Sequence, residues 1–361
     1  KNPGNMKSMK ILYVAGREQS YSRTRIVYKA LQKQGFDAIG CFPPDKSFKH
    51  YPSLIWRAVR QARSCDLIVV GFYGQLVLPF IKLFTLKPII FDMYIATFDT
   101  MVHDRSKARQ NSLKAWLYKQ SDMLSCKLSK RLILETHDHI RDFAQKFKVK
   151  EEKFRRIFLA VDDEGIYPRD LAKDTDKFLV HFHGEYAPFH GVKTILQAAD
   201  LLKKEDIQFQ IIGKGITYEA DQQLARELNL QNVKFIDPVP YDTLADYMAK
   251  ADVCLGIFGG NERMLRVTTN KVIESIAMAK PLITGRNEPV QELLTHEKNV
   301  YLVERANATE LAKAILRLKR DAALRESIAK AGYDVFLQNC TLDKLGHGFA
   351  ELIWEVSKNG R

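Results

Sequence analysis

Cysteine is sparse in this sequence and nowhere paired. Five residues among 361, Cys41, Cys65, Cys126, Cys254 and Cys340, lie far apart with no CxxC spacing. That argues against a zinc site and predicts a reducing compartment. No GxxxxGK[ST] stretch exists, which excludes a P-loop, and no full GxGxxG exists, which weakens a nicotinamide reading. No DxD pair stands at a strand end, so neither Mg²⁺ nor Mn²⁺ is invoked, and no metal ligands or cofactor are expected. Long hydrophobic runs are missing too. The longest, Leu67 to Ile81, is 15 residues and contains two Gly, a Gln and a Pro, too short to cross a bilayer. Repeats and low-complexity tracts do not appear. No signal peptide is visible, and the opening KNPGNMKSMK, with Met6 and Met9, carries no structural weight.

Charge, in contrast, is plentiful and uneven. The net charge is +13. From Lys1 to Gly165 there are 30 Lys and Arg against 16 Asp and Glu; from Ile166 onward there are 26 against 27. The excess belongs to the first half, which suits an anionic partner: a membrane surface, a nucleic acid or a phosphorylated acceptor. A nucleic-acid reading calls for aromatic residues interleaved with Lys and Arg in a known module, and none is visible.

Strand-like and helix-like segments alternate. "KILYVAG" reads as a strand, "SRTRIVYKALQKQG" as a helix stopped at Gly35, "DLIVVGFYG", "KPIIFDMY" and "RLILET" as further strands, and Asp104 to Lys130 as a long basic helix with Leu113, Trp116, Leu117, Met123 and Leu124 as its apolar members. A polar stretch from about Val161 to Asp176 reads as a linker. Behind it a second series runs through "FLVHFHGEY", "IQFQIIGKG", "VKFIDPV", "DVCLGIFG" and "PLITG", with helices between them. This pattern predicts an α/β fold of two Rossmann-like, doubly wound domains facing across a cleft: residues 1–165, residues 166–335, and a C-terminal helix in 336–361 that packs back on the first domain through Phe349 and Trp354.

Ligands in such sheets sit outside the carboxyl ends of the strands. Glycines stand at those ends: Gly16, Gly71 and Gly74, Gly184, and Gly213-Lys214-Gly215. The stretch "RVTTNKVIESIAMAKPLITG" is more specific. Thr268, Thr269 and Asn270 are helix-capping types, the apolar residues from Val272 to Ala279 suit a buried helix, and Pro281 ends it. Arg266 and Lys271 bracket the helix start with positive charge, where amides and dipole already favour an anion. Glu274 stands one turn inside.

With "VTTNK" before it, "VIESIAMAKPLIT" resembles the donor-site helix of GT-B glycosyltransferases, in the retaining family numbered four. "FHGEYAPFHGVKTILQAADLL", "FQIIGKG" and "VKFIDPVPYDTLADYMAKADVCLGIF" resemble further parts of the same domain, so the likeness covers about Phe178 to Arg320 well and the first half in outline. There are departures. The family often has Glu-x7-Glu; Glu274 fits the second position, but Arg266 occupies the first. The Arg and Lys usual after the first C-domain strand are missing, leaving His190. Ala279 replaces a Gly, a change expected to matter little. Asp92 stands where many members have a His.

The resemblance implies transfer of a sugar from a nucleotide-sugar, a UDP-sugar being favoured, without a metal. Gly16, Gly184, Gly213, Lys214, Val239, Arg266, Thr268, Asn270, Lys271 and Glu274 are the expected donor-binding residues, with cations on the diphosphate and Glu274 on the ribose hydroxyls. Asp92 and Asp99 are the expected catalytic carboxylates, with Thr97, His103 and Asp104 on the same loop; the alternative for each is a cap or turn residue, and for His103 that alternative is favoured. Arg23, Arg25, Lys82 and Arg105 are expected to face an acceptor or a membrane. The expected acceptor is a glycan or a lipid-linked precursor at the cytoplasmic face of the cell membrane, with the protein peripheral on an anionic surface and no nucleic acid involved. A sugar-nucleotide epimerase-like enzyme of the same architecture is the alternative, beside a basic nucleic-acid-binding protein.

Overall fold

A computed structural model describes residues 9–104 and 109–358. The chain forms two compact units. One runs to Phe158 and resumes at Leu342; the other is Leu159–Thr341. The boundaries fall seven residues before and six after those expected at 165 and 335.

The first unit is built on six parallel strands: β1 (Lys10–Val14), β2 (Asp37–Cys41), β3 (Leu67–Val70), β4 (Ile89–Asp92), β5 (Arg131–Leu134) and β6 (Phe154–Arg156), in the order β2-β1-β3-β4-β5-β6. Strands covered by helices on both faces read as unbroken apolar runs, and LIVV and IIFD are buried at every position. The basic segment expected to be helical from Asp104 begins its helix only at Leu113, capped by Ser112, and runs to Leu128. Its buried members are Ala115, Tyr118, Asp122, Ser125 and Cys126. Leu113, Trp116, Leu117 and Leu124, expected as its apolar face, are exposed instead.

The last helix, Leu342–Lys358, joins this unit from the far end of the chain and packs on the helix Ser22–Lys33. Leu345, Phe349, Leu352 and Ile353 are its buried stripe, at helical spacing. Arg131 and Arg155 both reach Glu355 on its outer side.

The second unit has its own six parallel strands: β7 (Phe178–His183), β8 (Ile207–Ile212), β9 (Val233–Ile236), β10 (Val253–Leu255), β11 (Leu282–Gly285) and β12 (Tyr301–Val303), ordered β12-β11-β10-β7-β8-β9. The order reverses between β7 and β10, and that reversal opens a crevice at the strands' carboxyl ends. Residues 161–176 contain no helix or strand and belong to this unit. Ala279, in place of the family's Gly, has φ +50°, the left-handed region that favours glycine. The replacement therefore carries backbone strain of about 1 kcal/mol and is not neutral.

The burial of the last helix predicts a contrast. Phe349→Ala should destabilise the protein by about 3–5 kcal/mol, as expected for emptying a packed core site. Trp354→Ala, with the ring 41% exposed, should cost much less. Urea unfolding of both variants checks this; equal effects would contradict the packing described.

Candidate functional site

The crevice at β7 and β10 collects most of the residues singled out in the second unit. β7 ends at His183, and Gly184 follows with φ +145°. A Cβ at Gly184 would lie 3.0 Å from Cε and Nζ of Lys271, so only glycine leaves that lysine its place. Gly213, at the end of β8, has φ +133°, and a Cβ there would lie 2.0 Å from the carbonyl oxygen of Gly184. Lys214 points outward, paired with Asp237 at 2.8 Å over the ring of Tyr218. Val239 is half-buried between β9 and the helix Tyr241–Lys250.

The helix Asn270–Ala277 follows β10 and runs with nearly every residue buried. Thr269 is its N-cap in extended conformation, but its hydroxyl makes no capping bond. The hydroxyl oxygens of Thr268 and Thr269 are both buried without a hydrogen-bond partner. Two buried hydroxyls at a helix start suit a polar ligand. Capping by Thr268 and Asn270, expected from the sequence, does not occur.

Lys271 is only 5% exposed. Its ammonium donates to Nε2 of His190 at 3.1 Å and lies 5.3 Å from the ring centre of Phe182. His190 in turn donates from Nδ1 to the carbonyl of Glu185. Burial, then the nearby Lys271 charge, push the imidazole well below its ordinary range, so it stays neutral. Burial pulls Lys271 down to about 8, against the attraction of Glu274 and Glu185. The Arg266 side chain is partly exposed and lies 3.6 Å from Glu262, so of the two cations expected to bracket the helix start only Lys271 is buried. Asn270 is half-buried at the helix start.

Glu274 is as buried as Lys271 and lies one turn further on. It accepts from the Tyr241 hydroxyl at 3.0 Å and from Nε2 of His183 at 2.8 Å. Burial raises its carboxyl, but the bonds from His183 and Tyr241 and the Lys271 charge outweigh this and hold it below the usual range. An ionised carboxylate has about four acceptor positions, so two remain for a ligand. His181, His183, Gln210 and Tyr241 were not singled out from the sequence. The signal was there in "HFH": alternate residues of a strand share a face.

In the first unit the structure corrects several expectations. Arg23, expected at the surface, is buried and binds Asp92 through two bonds, Nε to Oδ2 at 2.9 Å and Nη2 to Oδ1 at 2.8 Å. Burial works against the guanidinium charge, but Asp92 outweighs it and raises the pKa. Asp92 is thus fully buried with both oxygens on Arg23 and is not an open base. Asp99 is bound by the Lys146 ammonium. Asp122 accepts from the backbone of Thr97 and Phe98 at 3.1 and 2.8 Å, and burial pushes its carboxyl up to about 7. Gly16 leaves no room for a ligand on its Cβ side, because the Tyr73 carbonyl and Tyr51 hydroxyl fill that space. Arg25 is half-buried, and Lys82 donates to the Lys87 carbonyl at 3.2 Å. Arg105 lies outside the described residues, as do the side chains of His103 and Asp104.

The chain is similar to known proteins in sequence and in fold. Residues 177–321 match the model of the family described as glycosyl transferases group 1. An uncharacterized glycosyltransferase of Methanocaldococcus jannaschii is 26% identical over 54% of this chain and 52% of its own. N-acetyl-alpha-D-glucosaminyl L-malate synthase of Bacillus anthracis is 21% identical over 70% of this chain and 65% of its own. The chain thus spans between half and two thirds of these relatives' lengths. Among solved structures, HepE of Anabaena in complex with UDP aligns with 96% of this chain and 100% of its own, at a TM-score of 0.75 and 15% identity. At that identity the likeness shows the fold, which is that of the GT-B glycosyltransferases. Residues 177–321, within the second unit, are thus similar to the group 1 glycosyl transferases.

Anion binding at Lys271 should be pH-dependent. The lysine's charge is present below about pH 8 and lost above it. Affinity for inorganic pyrophosphate should therefore fall about tenfold or more from pH 7 to pH 9.5, the loss of one charge-assisted bond of roughly 1.5 kcal/mol or more. In Lys271→Met both the tighter binding and the pH step should vanish. Calorimetry at the two pH values measures this, and an unchanged step in the variant would assign it to another group.

Proposed function

We propose that this protein is a retaining glycosyltransferase of family four that takes its sugar from a nucleoside diphosphate sugar, UDP-sugars being favoured. One observation carries the reading: a buried cation and a buried ionised carboxylate stand one turn apart on the helix at the β7–β10 crevice, with two unpartnered threonine hydroxyls at its start. Lys271 and the helix amides suit a diphosphate, and the spare acceptor positions of Glu274 suit a ribose diol. The UDP seen with HepE supports uridine as the base. Positive charge held at the leaving diphosphate stabilises its departure, and the reading needs no metal for that. With Asp92 and Asp99 both bound to cations, the departing phosphate oxygen is the base left for the acceptor's proton. Attack on the face it leaves keeps the anomeric configuration.

For the acceptor, the reading is a lipid-linked or cell-surface glycan precursor at the cytoplasmic face of a membrane. The helix Leu78–Leu83 packs on Leu113–Leu128, and around them Leu86 is 99%, Leu83 75% and Trp116 55% exposed. Lys82, Lys87, Lys114 and Lys119 lie in the same segments. The first unit holds 33 Lys and Arg against 16 Asp and Glu, the second 23 against 27. Exposed apolar residues set among lysines complement an anionic leaflet. The five cysteines are free and buried, in keeping with a reducing compartment.

Two experiments test this. In thermal shift, UDP should stabilise the protein more than GDP or ADP, and Lys271→Ala and Glu274→Ala should each lose the shift; indifference of both variants to loss of these groups would sink the donor site. In flotation, anionic vesicles should carry the protein and neutral ones should not, with recovery falling as salt rises. A triple change of Leu83, Leu86 and Trp116 to Ser should remove what salt leaves bound. Equal recovery on neutral vesicles, or none at all, would favour a soluble acceptor.

A further inference from the structure

Behind Glu274 lies a run of polar side chains in an otherwise apolar interior: Gln210 on β8, then His181 and His183 on β7, all buried. Its hydrogens can be counted one by one. Gln210 donates from Nε2 to the Tyr247 carbonyl at 2.9 Å, and the same nitrogen faces Nδ1 of His181 at 3.0 Å. A flipped amide would set its oxygen against the Tyr247 oxygen, so the nitrogen stays and both of its hydrogens are used. Nδ1 of His181 must then accept, which puts that ring's hydrogen on Nε2. Nε2 faces Nδ1 of His183 at 2.9 Å, so Nδ1 accepts in its turn. The hydrogen of His183 is therefore on Nε2, donated to Oε2 of Glu274 at 2.8 Å.

Only this proton arrangement satisfies every link, and the donor at each link from Gln210 through the two rings points towards Glu274. The reverse arrangement, a protonated Glu274 donating into the chain, ends with two N–H groups facing each other at Gln210. An added proton on either imidazole creates the same conflict at one of the links. Burial, ahead of the neighbouring His183, keeps His181 well below its ordinary range. The other groups at Glu274 are Tyr241, which donates to Oε1, and Lys271, with His190 behind it.

We propose that Gln210, His181 and His183 are positioning residues that lock Glu274 as an acceptor-only carboxylate, so that this point of the donor site accepts hydroxyl donors and rejects a nucleotide lacking them. The proposal rests on the donor-site reading above and adds to it how the ribose diol is discriminated. Without the donor from His183, the buried Glu274 carboxyl takes up a proton more readily and becomes donor as well as acceptor. It then no longer distinguishes a diol from its absence. A site built to bond a hydroxyl rejects the analogue without it because a buried polar group is left unpaired.

The test is calorimetry of the full chain with UDP and with 2′,3′-dideoxy-UDP. The affinity ratio is read because both ligands share the diphosphate, so titration of Lys271 cancels. The wild type should prefer UDP by tenfold or more, with a ratio that is flat from pH 6 to pH 8. In His183→Leu the ratio should fall to within about twofold and shrink further as pH drops. In His183→Gln, which returns an N–H near the place of Nε2, most of the preference should return. Gln210→Met, of similar volume, removes only the origin of the chain and should give an intermediate ratio; it serves if His183→Leu does not fold. An unchanged, pH-flat ratio in folded His183→Leu or in Gln210→Met would overturn the proposal and leave the donor site standing. Absence of UDP binding by the wild type would overturn both, and binding of both ligands equally by the wild type would overturn the role of Glu274 itself.

Discussion

Two opposite charges are kept buried one turn apart without being allowed to cancel, and the second unit is arranged around that constraint. Lys271 gives its hydrogen bond to a neutral imidazole, which brings no counter-charge. Glu274 takes its bonds from an imidazole N–H and a phenol. Each ion is solvated by dipoles, so each keeps charge to offer a ligand. Burial of an ion without such partners is expensive enough that the group would neutralise itself instead. Gly184 and Gly213 belong to the same constraint, since a single added carbon at either would collide with Lys271 or with the loop that shapes its surroundings. The placement follows from topology: the strand order reverses between β7 and β10, and the helix bearing both residues leaves β10 at that point.

The first unit handles its interior charges the other way. Arg23 and Asp92 are matched bond for bond, and Asp99 takes Lys146. A guanidinium and a carboxylate in two-point contact satisfy each other and leave little for a third party. Asp122 is the exception, buried on backbone amides and pushed up to about 7, while at the surface of that unit basic residues outnumber acidic ones and large apolar side chains stand in water. Removing either member of the Arg23–Asp92 pair alone would strand a buried charge, which is why neither reads as a group free to do chemistry.

Much of the fold was legible from the chain alone. Apolar strands such as LIVV, IIFD and FLVHFH announce themselves because parallel strands are covered on both faces, and the helices between them show their spacing. β2, β6 and β12 were not legible: DAIGC is a half-buried, glycine-containing edge strand, and FRR and YLV are three residues long. Their pairing, not their composition, makes them strands. The helix Leu113–Leu128 was legible as a helix but not as to its inward face, because its buried side includes Asp122 and Ser125, which serve neighbouring backbone and not an apolar core.

For the site, the sequence by itself determined what is local. A run of capping residues, a lysine, a glutamate one turn later and glycines at strand ends are short-range patterns, and Lys271, Glu274, Gly184 and Gly213 could be named from them. Only the tertiary structure decided who stands beside them. His183 is 91 residues from Glu274 in the chain, His190 is 81 from Lys271, and Arg23 is 69 from Asp92. Hydrogen bonds act over about 3 Å and carry no trace of chain separation. The charge state of a buried group is therefore set by neighbours that the sheet order brings together, and no reading along the chain supplies them.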